Sequence, residues 1–554
     1  MDTDTRSAQS AASTRNPERD GVEKPAIQWL ETLGYTHIPG KEVGAQQAHR
    51  HLPPILTEVL TERLLALNPW LAGISSGVES VIRELRRFWN ESLMEANQNA
   101  WESVIHRDDI QVKDHQSRSR SVRFFDQVTP LNNRFHVVDQ FVGANSDGDL
   151  FKPDLLLFLN GLPLAIIECK ASHVKVAKGI QQLSSYQRSH PRHFVFNQVC
   201  VAINRNQARY GAIYTPESFY FRYRLEADEE ATVRRLRGKE PTEQDKLLWA
   251  LFEPSRFVEL VCQFVLFERE EGKVIKKLPR YQQWRSVRKT IARLMGDQTT
   301  GGQVTGKQPR GGVVWHTQGS GKSLTMAYLA RYLRAECVGL GNPSILVLTD
   351  RTDLDRQIFN TFNAVGLTPM KAPSVAGLER MLGNDYGGIF TSTVQKFQER
   401  DGKPIKAAAR EGDDPQTDSP TRVRRIQEGQ QFFICEDRNR NHGQLNEDGT
   451  PQKPRWVEQS REAVEFQVLT TKENFYVLVD EAHRSQYGFL AAFMRASLPN
   501  ARFIAFTGTP LRKDDRNTLE AFTGKDGNKD YIDTYRLDEA VADGATLPIK
   551  YQEG

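Results

Sequence analysis

Residues 316–323, His-Thr-Gln-Gly-Ser-Gly-Lys-Ser, combine side chains suited to binding a nucleoside triphosphate. Gly319 and Gly321 would let backbone N–H groups close around the β-phosphate, and a helix beginning here would add a partial positive charge. Lys322 would neutralise β- and γ-phosphate oxygens, and Ser323 would supply a hydroxyl to Mg²⁺. These residue types at this spacing predict a phosphate-binding loop.

The sequence on either side of this loop predicts the elements that would position it. Residues 311–314 form a short apolar strand pattern, and residues 327–334 have the pattern of a helix. Thr317 and Ser320 lie between these elements and belong to the predicted ATP site. His316 occupies the position of the pattern's first glycine. The alternative is an incidental glycine-rich turn, which the strand–turn–helix context disfavours.

A second set of residues, Asp154, Glu168 and Lys170, supplies two carboxylates and one ammonium. Glu168 and Lys170 are two apart in a strand pattern, so they share a face while Cys169 points the other way. Two oxygen ligands with open positions suit Mg²⁺, and Lys170 could orient an attacking water and help it lose a proton. Such a set could hydrolyse a phosphodiester. The alternative is an exposed edge strand that carries a surface salt bridge.

The elements that would bring these three residues together are two apolar strands between residues 151 and 170, joined by a hairpin at Asn-Gly 160–161. The hairpin would return the first carboxylate to the side of the second. A helix predicted over residues 177–188 carries Gln182 and Tyr186, which are four residues apart and share a face. Their alternative interpretation is the edge of an amphipathic helix.

A third set follows an apolar strand over residues 475–479, where residues 480–483 read Asp-Glu-Ala-His. Beside the phosphate-binding loop, Asp480 would hold Mg²⁺ and Glu481 would align and deprotonate an attacking water. Residues 501–510 repeat the pattern of a strand, which here ends in the hydroxyl-rich turn Thr-Gly-Thr-Pro. In this order after the acidic pair, that turn is a specific signal.

Further strands are predicted over residues 344–351 and 388–397, with helices between them, which indicates a parallel sheet covered by helices. Gln283 lies before the phosphate-binding loop, where ATP-driven motors place an adenine-reading glutamine. Its alternative is a polar residue on a helix surface. A strand is also predicted over residues 213–223, where aromatic residues alternate with Arg222. Arginine between aromatics can stack on bases, although alternating aromatics in a strand are more often core residues.

Composition limits the class of protein. The chain has 554 residues, 38% hydrophobic and 26% charged, with a net charge of +4, so any nucleic-acid surface must be a local patch. Its five cysteines form no C-x-x-C and predict a reducing cytoplasm with neither disulfides nor a zinc site. No apolar run reaches the ~18 residues of a membrane span, and the N-terminus lacks a signal-peptide pattern. We therefore expect a cytoplasmic protein with no membrane partner.

The ordered motifs together resemble the first RecA-like domain of superfamily 2 helicases and DNA translocases. With the Asp…Glu-x-Lys set before them, they resemble the restriction (HsdR) subunit of type I restriction–modification enzymes, including the phrases Trp-His-Thr-Gln-Gly-Ser-Gly-Lys-Ser and Leu-Thr-Asp-Arg-Thr-Asp-Leu-Asp. The resemblance covers about residues 21–550. The resemblance implies that histidine is usual at the position of His316, and Gln182 and Tyr186 match the Gln-x-x-x-Tyr of that family.

The resemblance implies an α/β multidomain protein. Residues 1–20 are expected to be a disordered tail. Residues 21–265 would form a PD-(D/E)xK-type restriction-endonuclease-like domain, and residues 266–545 a RecA-like parallel-sheet P-loop domain with a polar insertion at 399–474. Residues 546–554 would begin a second RecA-like domain. Because such motors hydrolyse ATP between two domains, this chain alone is expected to bind ATP yet translocate poorly or not at all.

The function implied by the resemblance is ATP-dependent translocation of double-stranded DNA coupled to Mg²⁺-dependent cleavage away from the recognition site. The implied partners are the methyltransferase (M) and specificity (S) subunits. The alternatives are a stand-alone helicase–nuclease in phage defence or repair, and an inactive remnant that only binds DNA or ATP. Genes for the M and S subunits beside this one would argue against the first, and metal-dependent nicking of plasmid would exclude the second.

Overall fold

The structure, a computed structural model, describes residues 16–46, 52–295, 311–335, 338–349, 352–372, 377, 380–381, 387–393, 399–400, 403–404, 470–481, 498–510, 512–513, 516–523 and 530–546. Several predicted features lie outside these residues: 1–15 of the tail, 350–351, 394–398, most of the insertion at 399–474, Ala482 with His483, and 547–554. The chain forms two units, Met1–Tyr281 and Gln282–Gly554.

The first unit is organised around a six-stranded mixed sheet in which the strands lie side by side in chain order. The first and second strands pair in parallel, as do the fourth and fifth, and the other neighbours are antiparallel. The strands are β1 (Thr36–Pro39), β2 (Phe135–Asp139), β3 (Leu155–Leu159), β4 (Leu162–Cys169), β5 (Val199–Ile203) and β6 (Ala208–Gly211).

Strands β3 and β4 form the predicted hairpin, and every residue in both is buried. Both faces are covered, so each strand reads as a continuous apolar run, and each large aliphatic side chain buried there contributes about 1.5–3 kcal/mol. The turn uses Asn160 and Gly161 with φ of 49° and 87°, the left-handed pair that a two-residue hairpin requires. A Cβ on Gly161 would lie 2.6 Å from the carbonyl oxygen of Leu56.

Helices cover this sheet, and α6 packs against β4 and β5 through Ile180 and Leu183. The helices of the first unit are α1 (Lys24–Thr32), α2 (Gly40–Gln46), α3 (Thr57–Leu67), α4 (Gly77–Leu85), α5 (Leu93–Ala100), α6 (Ala177–Ser189), α7 (Ala227–Arg237), α8 (Glu243–Phe252) and α9 (Pro254–Gln263).

Short elements complete the first unit. There are π-helical turns at Arg19–Glu23 and Trp101–His106, and 3-10 turns at Pro69–Gly73, Arg86–Asn90, Pro130–Asn132, Pro191–Phe194 and Glu217–Phe219. Short strands pair as Gln111–Lys113 with Ser119–Ser121, and as Gly143–Ala144 with Leu150–Phe151.

Helical structure begins earlier than the sequence predicts, because the turn Arg19–Glu23 runs directly into α1. The Arg19 guanidinium lies 3.5 Å from a carboxylate oxygen of Asp139 at the end of β2. The disordered tail predicted up to residue 20 is corrected for residues 16–20. Its composition resembles a tail, and the partner that orders it lies far away in the sequence.

The boundary between the units also differs from the one expected at residue 265. Strands β7 (Leu266–Glu270) and β8 (Lys273–Lys277) form a hairpin that belongs to the first unit. The Lys276 ammonium is buried there and donates to Asn97 Oδ1 and Gln198 Oε1, both at 2.6 Å. These buried hydrogen bonds attach the hairpin to the first unit. They join residues that are far apart in the sequence, so no local pattern predicts them.

The strand predicted over residues 213–223 is not formed. Tyr214 has a φ of 56°, Pro216 lacks an N–H for a strand ladder, and Glu217–Phe219 form a 3-10 turn. Two of its aromatics, Tyr220 and Tyr223, are buried, as the core interpretation expects. Two others, Tyr214 and Phe219, are about half exposed.

The second unit is organised around a sheet whose seven strands all pair in parallel. The strands are β9 (Gly311–His316), β10 (Ser344–Thr349), β11 (Met370–Lys371), β12 (Ile389–Thr393), β13 (Phe475–Asp480), β14 (Arg502–Thr507) and β15 (Asp533–Tyr535), in the spatial order β11-β12-β10-β13-β14-β9-β15.

Its helices are α10 (Tyr281–Met295), which begins at the boundary, α11 (Lys322–Leu333), α12 (Thr352–Ala364), α13 (Thr518–Thr523) and α14 (Leu537–Ala542). Two-residue strands pair as Glu399–Arg400 with Lys403–Pro404 and as Arg512–Lys513 with Arg516–Asn517. The predicted mixed α/β architecture with a parallel-sheet unit is confirmed. Within the described residues, no helix is both long and apolar enough to cross a membrane.

Candidate functional site

The first site lies at the end of β4, where the structure brings Asp154, Glu168 and Lys170 together. Asp154 immediately precedes β3, and its Oδ2 accepts a hydrogen bond from the backbone N–H of Cys169 at 2.7 Å. The Lys170 ammonium donates to Glu168 Oε1 at 2.7 Å and to the carbonyl oxygen of Cys169 at 2.8 Å. The hairpin therefore places both carboxylates and the ammonium in one hydrogen-bonded group.

Burial disfavours negative charge at this site, because Asp154 and Glu168 are only 8% and 1% exposed. Burial raises the pKa of Asp154, although the Cys169 N–H and Lys170 oppose the shift. Burial, and next the Asp154 carboxylate, raise the pKa of Glu168 well above its usual value. For Lys170, burial alone would lower the pKa, but Glu168 raises it overall. A further cation at this site would favour ionisation of both carboxylates.

One atom fits a bound cation directly. Glu168 Oε2 is buried and has no hydrogen-bond partner in the part of the chain that the structure describes, while Lys170 occupies Oε1. The described residues contain no ready-made cluster of three or more His, Cys, Asp or Glu side chains for a metal. Two carboxylates suit Mg²⁺ nonetheless, because this ion keeps several waters and completes its coordination with substrate phosphate.

Gln182 and Tyr186 lie on one face of α6, as predicted, and Gln182 Nε2 donates to the Tyr186 hydroxyl at 3.2 Å. That hydroxyl donates in turn to the carbonyl oxygen of Lys152 at 3.1 Å, and the Tyr186 ring contacts Phe151 edge-on. The pair therefore braces the segment that enters β3 just before Asp154. Within the part of the chain that the structure describes, neither side chain hydrogen-bonds a carboxylate of the site.

The structure adds residues that sequence reasoning missed. Gln140 Nε2 donates to Glu23 Oε2 at 2.9 Å and lies 3.4 Å from Asp154 Oδ1, so one amide joins two carboxylates. Burial, and next Asp154, raise the pKa of Glu23 to about 7. Glu18 lies 3.9 Å from the Lys170 ammonium. No local motif marks these residues. Pairing of β2 with β3 places Gln140 beside Asp154, and the hydrogen bond from Gln140 holds Glu23 there.

The second site is the phosphate-binding loop between β9 and α11. Gly319 and Gly321 have φ of 79° and 85°, which glycine adopts without strain. Gln283 Nε2, on α10, donates to the carbonyl oxygen of Gly321 at 3.3 Å. A Cβ at Gly321 would lie 2.5 Å from that nitrogen, so glycine is required for the contact as well as for the turn. The structure thus places Gln283 against the loop.

The acidic pair of β13 also reaches this loop. Glu481 Oε1 lies 3.3 Å from the Lys322 ammonium, and Asp480 Oδ1 accepts the backbone N–H of Glu481 at 3.0 Å. Glu481 has a φ of 52°, which turns the chain sharply at the end of the strand. Burial, and next the charge of Glu481, raise the pKa of Asp480 to about 6. As at the first site, a cation near Asp480 would favour its ionised form.

The turn after β14 closes the loop from another side. The Trp315 indole N–H donates to the carbonyl oxygen of Gly508 at 3.0 Å, and a Cβ on Gly508 would lie 3.7 Å from the Lys322 ammonium. Within the loop, Ser320 N–H donates to the carbonyl oxygen of Thr317 at 3.3 Å, and Ser323 is the second residue of α11. The residues predicted to bind ATP therefore gather around one turn.

Comparison with known families gives two matches that together cover most of the chain. Residues 16–219, which contain the first site, match the model of the type I restriction enzyme R protein N terminus. Residues 282–554, which contain the second site, match the model of the SWI2/SNF2 ATPase.

Individual relatives match both units at once. The type I restriction enzyme HindI endonuclease subunit of Haemophilus influenzae is 31% identical over 96% of this chain and 46% of the relative. A Methanocaldococcus jannaschii protein, provisionally named type I restriction enzyme MjaIXP endonuclease subunit, is 26% identical over 96% of this chain and 45% of its own length. The type I restriction enzyme SauCOLORF180P endonuclease subunit of Staphylococcus aureus is 22% identical over 95% of this chain and 46% of its own length. The chain spans about half the length of these curated relatives.

Proposed function

This chain belongs to the family of type I restriction enzyme R subunits, and on that premise we propose that it cleaves double-stranded DNA with one unit and drives DNA translocation with the other. The first unit would be a PD-(D/E)xK-type nuclease, and the second a RecA-like ATPase. The observation that carries the proposal is the convergence of Asp154, Glu168 and Lys170 at the end of β4, with Glu168 Oε2 left without a partner among the described residues.

In the nuclease unit, Asp154 and Glu168 would hold Mg²⁺. When bound, this ion would supply Lewis-acid activation of the scissile phosphate. Lys170 is fixed by Glu168 and by the carbonyl oxygen of Cys169, so its ammonium can orient an attacking water toward the phosphorus. Tyr186 and Gln182 would support the segment that delivers Asp154. These groups would act on the phosphodiester, which is the same at every nucleotide step, and this suits cleavage without sequence preference.

In the motor unit, Lys322 would bind the β- and γ-phosphates, with Thr317, Gly319 and Ser320 lining the loop. Gln283 would read the adenine. The ion pair of Lys322 with Glu481 would open when phosphate arrives, since the phosphate oxygens compete for the ammonium. Glu481 would then be free to accept a proton from the attacking water.

Ser323 and Asp480 would hold the Mg²⁺ that accompanies ATP at this motor site. Coupling of nucleotide turnover to DNA movement would use double-stranded DNA as the track. We further propose that the target sequence is chosen by the methyltransferase and specificity subunits of a type I complex. On the composition of the sequence, we place this complex in the cytoplasm.

The two activities can be separated by substitution. Cleavage of supercoiled plasmid by the chain, combined with its methyltransferase and specificity subunits, should be lost in Asp154→Ala while ATP binding stays unchanged. Lys322→Ala should weaken ATP binding about 10- to 100-fold, as expected for loss of a charge-assisted phosphate contact, and leave Mg²⁺ binding by the first unit intact.

Matched controls are Asp147→Ala and Arg356→Ala, which remove exposed charges from the same units. Persistent plasmid cleavage by Asp154→Ala would overturn the nuclease assignment. Undiminished ATP binding by Lys322→Ala would overturn the motor assignment.

A further inference from the structure

His316, at the end of β9, has a fully buried side chain whose Nε2 lies 2.8 Å from Asp533 Oδ2. Asp533 begins β15, is 2% exposed, and lies 217 residues away in the sequence. The two strands pair in parallel, and the backbone N–H of Thr317 extends the pairing by donating to the carbonyl oxygen of Tyr535 at 2.9 Å. The first residue of the phosphate-binding loop is thus fixed to the sheet's edge strand.

Asp533 also binds the helix that carries Gln283. Arg285 Nε lies 2.9 Å from Asp533 Oδ1, and Arg285 Nη2 lies 3.1 Å from Oδ2, so the guanidinium contacts both oxygens. The same guanidinium nitrogen donates to the carbonyl oxygen of Thr534 at 2.7 Å. Lys289, one turn further along α10, places its ammonium 3.1 Å from Oδ1. One carboxylate therefore joins α10, β9 and β15.

These contacts shift the pKa values of both groups. Burial alone would raise the pKa of Asp533, but the His316 hydrogen bond and the charges of Arg285 and Lys289 outweigh it and lower the pKa. Burial lowers the pKa of His316 more than Asp533 raises it. Both lowered pKa values are consistent with a neutral His316 imidazole whose Nε2–H donates to an ionised Asp533 carboxylate.

We propose that Asp533 and His316 are positioning residues that hold α10 and the phosphate-binding loop in one fixed geometry for ATP. The proposal rests on the proposed ATP-binding function of the second unit. Gln283 contacts the loop through Gly321, while Asp533 fixes the same helix two residues further on and fixes the loop through His316. The base-reading and phosphate-reading parts of the site thereby share one anchor.

A shared anchor predicts an effect on base selectivity that a purely stabilising ion pair does not. If Asp533 only stabilised the unit, its loss would weaken ATP and GTP binding by the same factor. If Asp533 instead fixes the position of Gln283 relative to the loop, its loss weakens ATP binding more than GTP binding. The Gln283 side chain would then no longer be positioned to hydrogen-bond the adenine. The ratio of the two affinities therefore separates the two roles.

The test uses the full 554-residue chain with N-methylanthraniloyl ATP and GTP as fluorescent probes, and measures Kd for each. Asp533→Asn should weaken ATP binding about 10-fold or more and lower the ATP-to-GTP selectivity ratio at least 3-fold. His316→Gln, which retains a side-chain N–H, should bind ATP within about 3-fold of the wild-type chain, whereas His316→Leu should lose about 10-fold. Asp538→Asn, an exposed carboxylate of α14, is the matched control.

Equal losses of ATP and GTP affinity in Asp533→Asn, or equal affinities in His316→Gln and His316→Leu, would overturn the proposal. The two His316 variants decide the matter if Asp533→Asn does not fold. Failure of the wild-type chain to bind ATP, or ATP binding that Lys322→Ala leaves intact, would overturn the proposed motor function and this inference together. Lys322-dependent binding with unchanged selectivity would overturn the inference alone.

Discussion

The two sites of this molecule are assembled in opposite ways. At the first site, Asp154, Glu168 and Lys170 lie within one β-hairpin, and neighbouring strands bring them together. At the second, residues as far apart as Gln283 and Asp533 meet around one loop, and only a completed parallel sheet can bring them together. One site depends on local structure, and the other depends on topology.

The sites also differ in their charge. Buried carboxylates dominate the first, where Glu23, Asp154 and Glu168 all have raised pKa values and Lys170 is the cation that binds Glu168 directly. At the second, Asp480 also has a raised pKa, but its neighbour Glu481 lies 3.3 Å from the Lys322 ammonium. The first site is therefore expected to depend more strongly on an added metal ion, and the second to bind polyphosphate by rearranging ion pairs it already has.

The largest expected effect tests this difference in metal dependence. Glu168→Gln keeps the shape of the side chain and removes its charge, so plasmid cleavage should fall about 100- to 1000-fold, the usual consequence of deleting a charge-stabilising group. Plasmid cleavage by the assembled complex is the measurement, with ATP affinity measured in parallel. Glu58→Gln, an exposed carboxylate in α3, serves as the control. A variant that cleaves at the wild-type rate would remove the contrast between the sites.

An intermediate effect is expected in the dependence on pH. Because burial and the Asp154 carboxylate raise the pKa of Glu168, this carboxyl keeps its proton to higher pH than an ordinary glutamate, and Mg²⁺ must displace the proton wherever it is bound. Affinity should therefore rise with pH, about 10-fold per unit for each proton displaced, until the carboxylate is fully ionised. At the motor site, Asp480 has a pKa of about 6, so Mg²⁺-dependent ATP binding should weaken below pH 6 and level off above it.

Calorimetric titration with Mg²⁺ in two buffers of different ionisation enthalpy would count the protons released at each site. Asp154→Ala removes a proposed metal ligand of the first site, and Asp480→Asn removes one of the motor site, so each variant isolates the other site. Mg²⁺ affinity at the nuclease site that does not rise with pH would contradict the assignment.

The smallest expected effect concerns the residues that join distant segments at the otherwise local first site. Gln140→Ala removes the amide that contacts Glu23 and Asp154, and loss of a hydrogen bond typically costs about 1 kcal/mol, or roughly 5-fold. Cleavage should fall by that factor while ATP affinity stays constant. Gln116→Ala, in an exposed loop, is the control. A loss of cleavage as large as that of Glu168→Gln would show that the first site depends on distant segments as much as on its own hairpin.

What the sequence could predict follows the same division. The hairpin at Asn160-Gly161, the pairing of Glu168 with Lys170, and the strand–loop–helix around Lys322 rest on local patterns, and the structure reproduces them. Apolar strands ending in chemistry-bearing residues were likewise visible for β13 and β14. Period, turn chemistry and short spacings are sufficient for such features.

The remainder depends on contacts between distant segments, which no local pattern encodes. Gln140 comes to the first site through pairing of β2 with β3 and holds Glu23 there, and Lys276 attaches its hairpin through hydrogen bonds to Asn97 and Gln198. The strand expected over residues 213–223 shows the reverse error. Alternation favoured a strand there, but Pro216 and the turn after it prevented the ladder from forming.

The separation between His316 and Asp533 has a consequence for how the molecule is made. The two residues are 217 positions apart, and at a synthesis rate of ~5–20 residues per second the second emerges about 10 to 40 seconds after the first. Throughout that interval the hairpin of β3 and β4 is already complete, whereas β9 has no edge strand beside it and the cations of α10 have no Asp533 carboxylate. A nascent chain can therefore complete the hairpin of the first site well before the second site can take its final form.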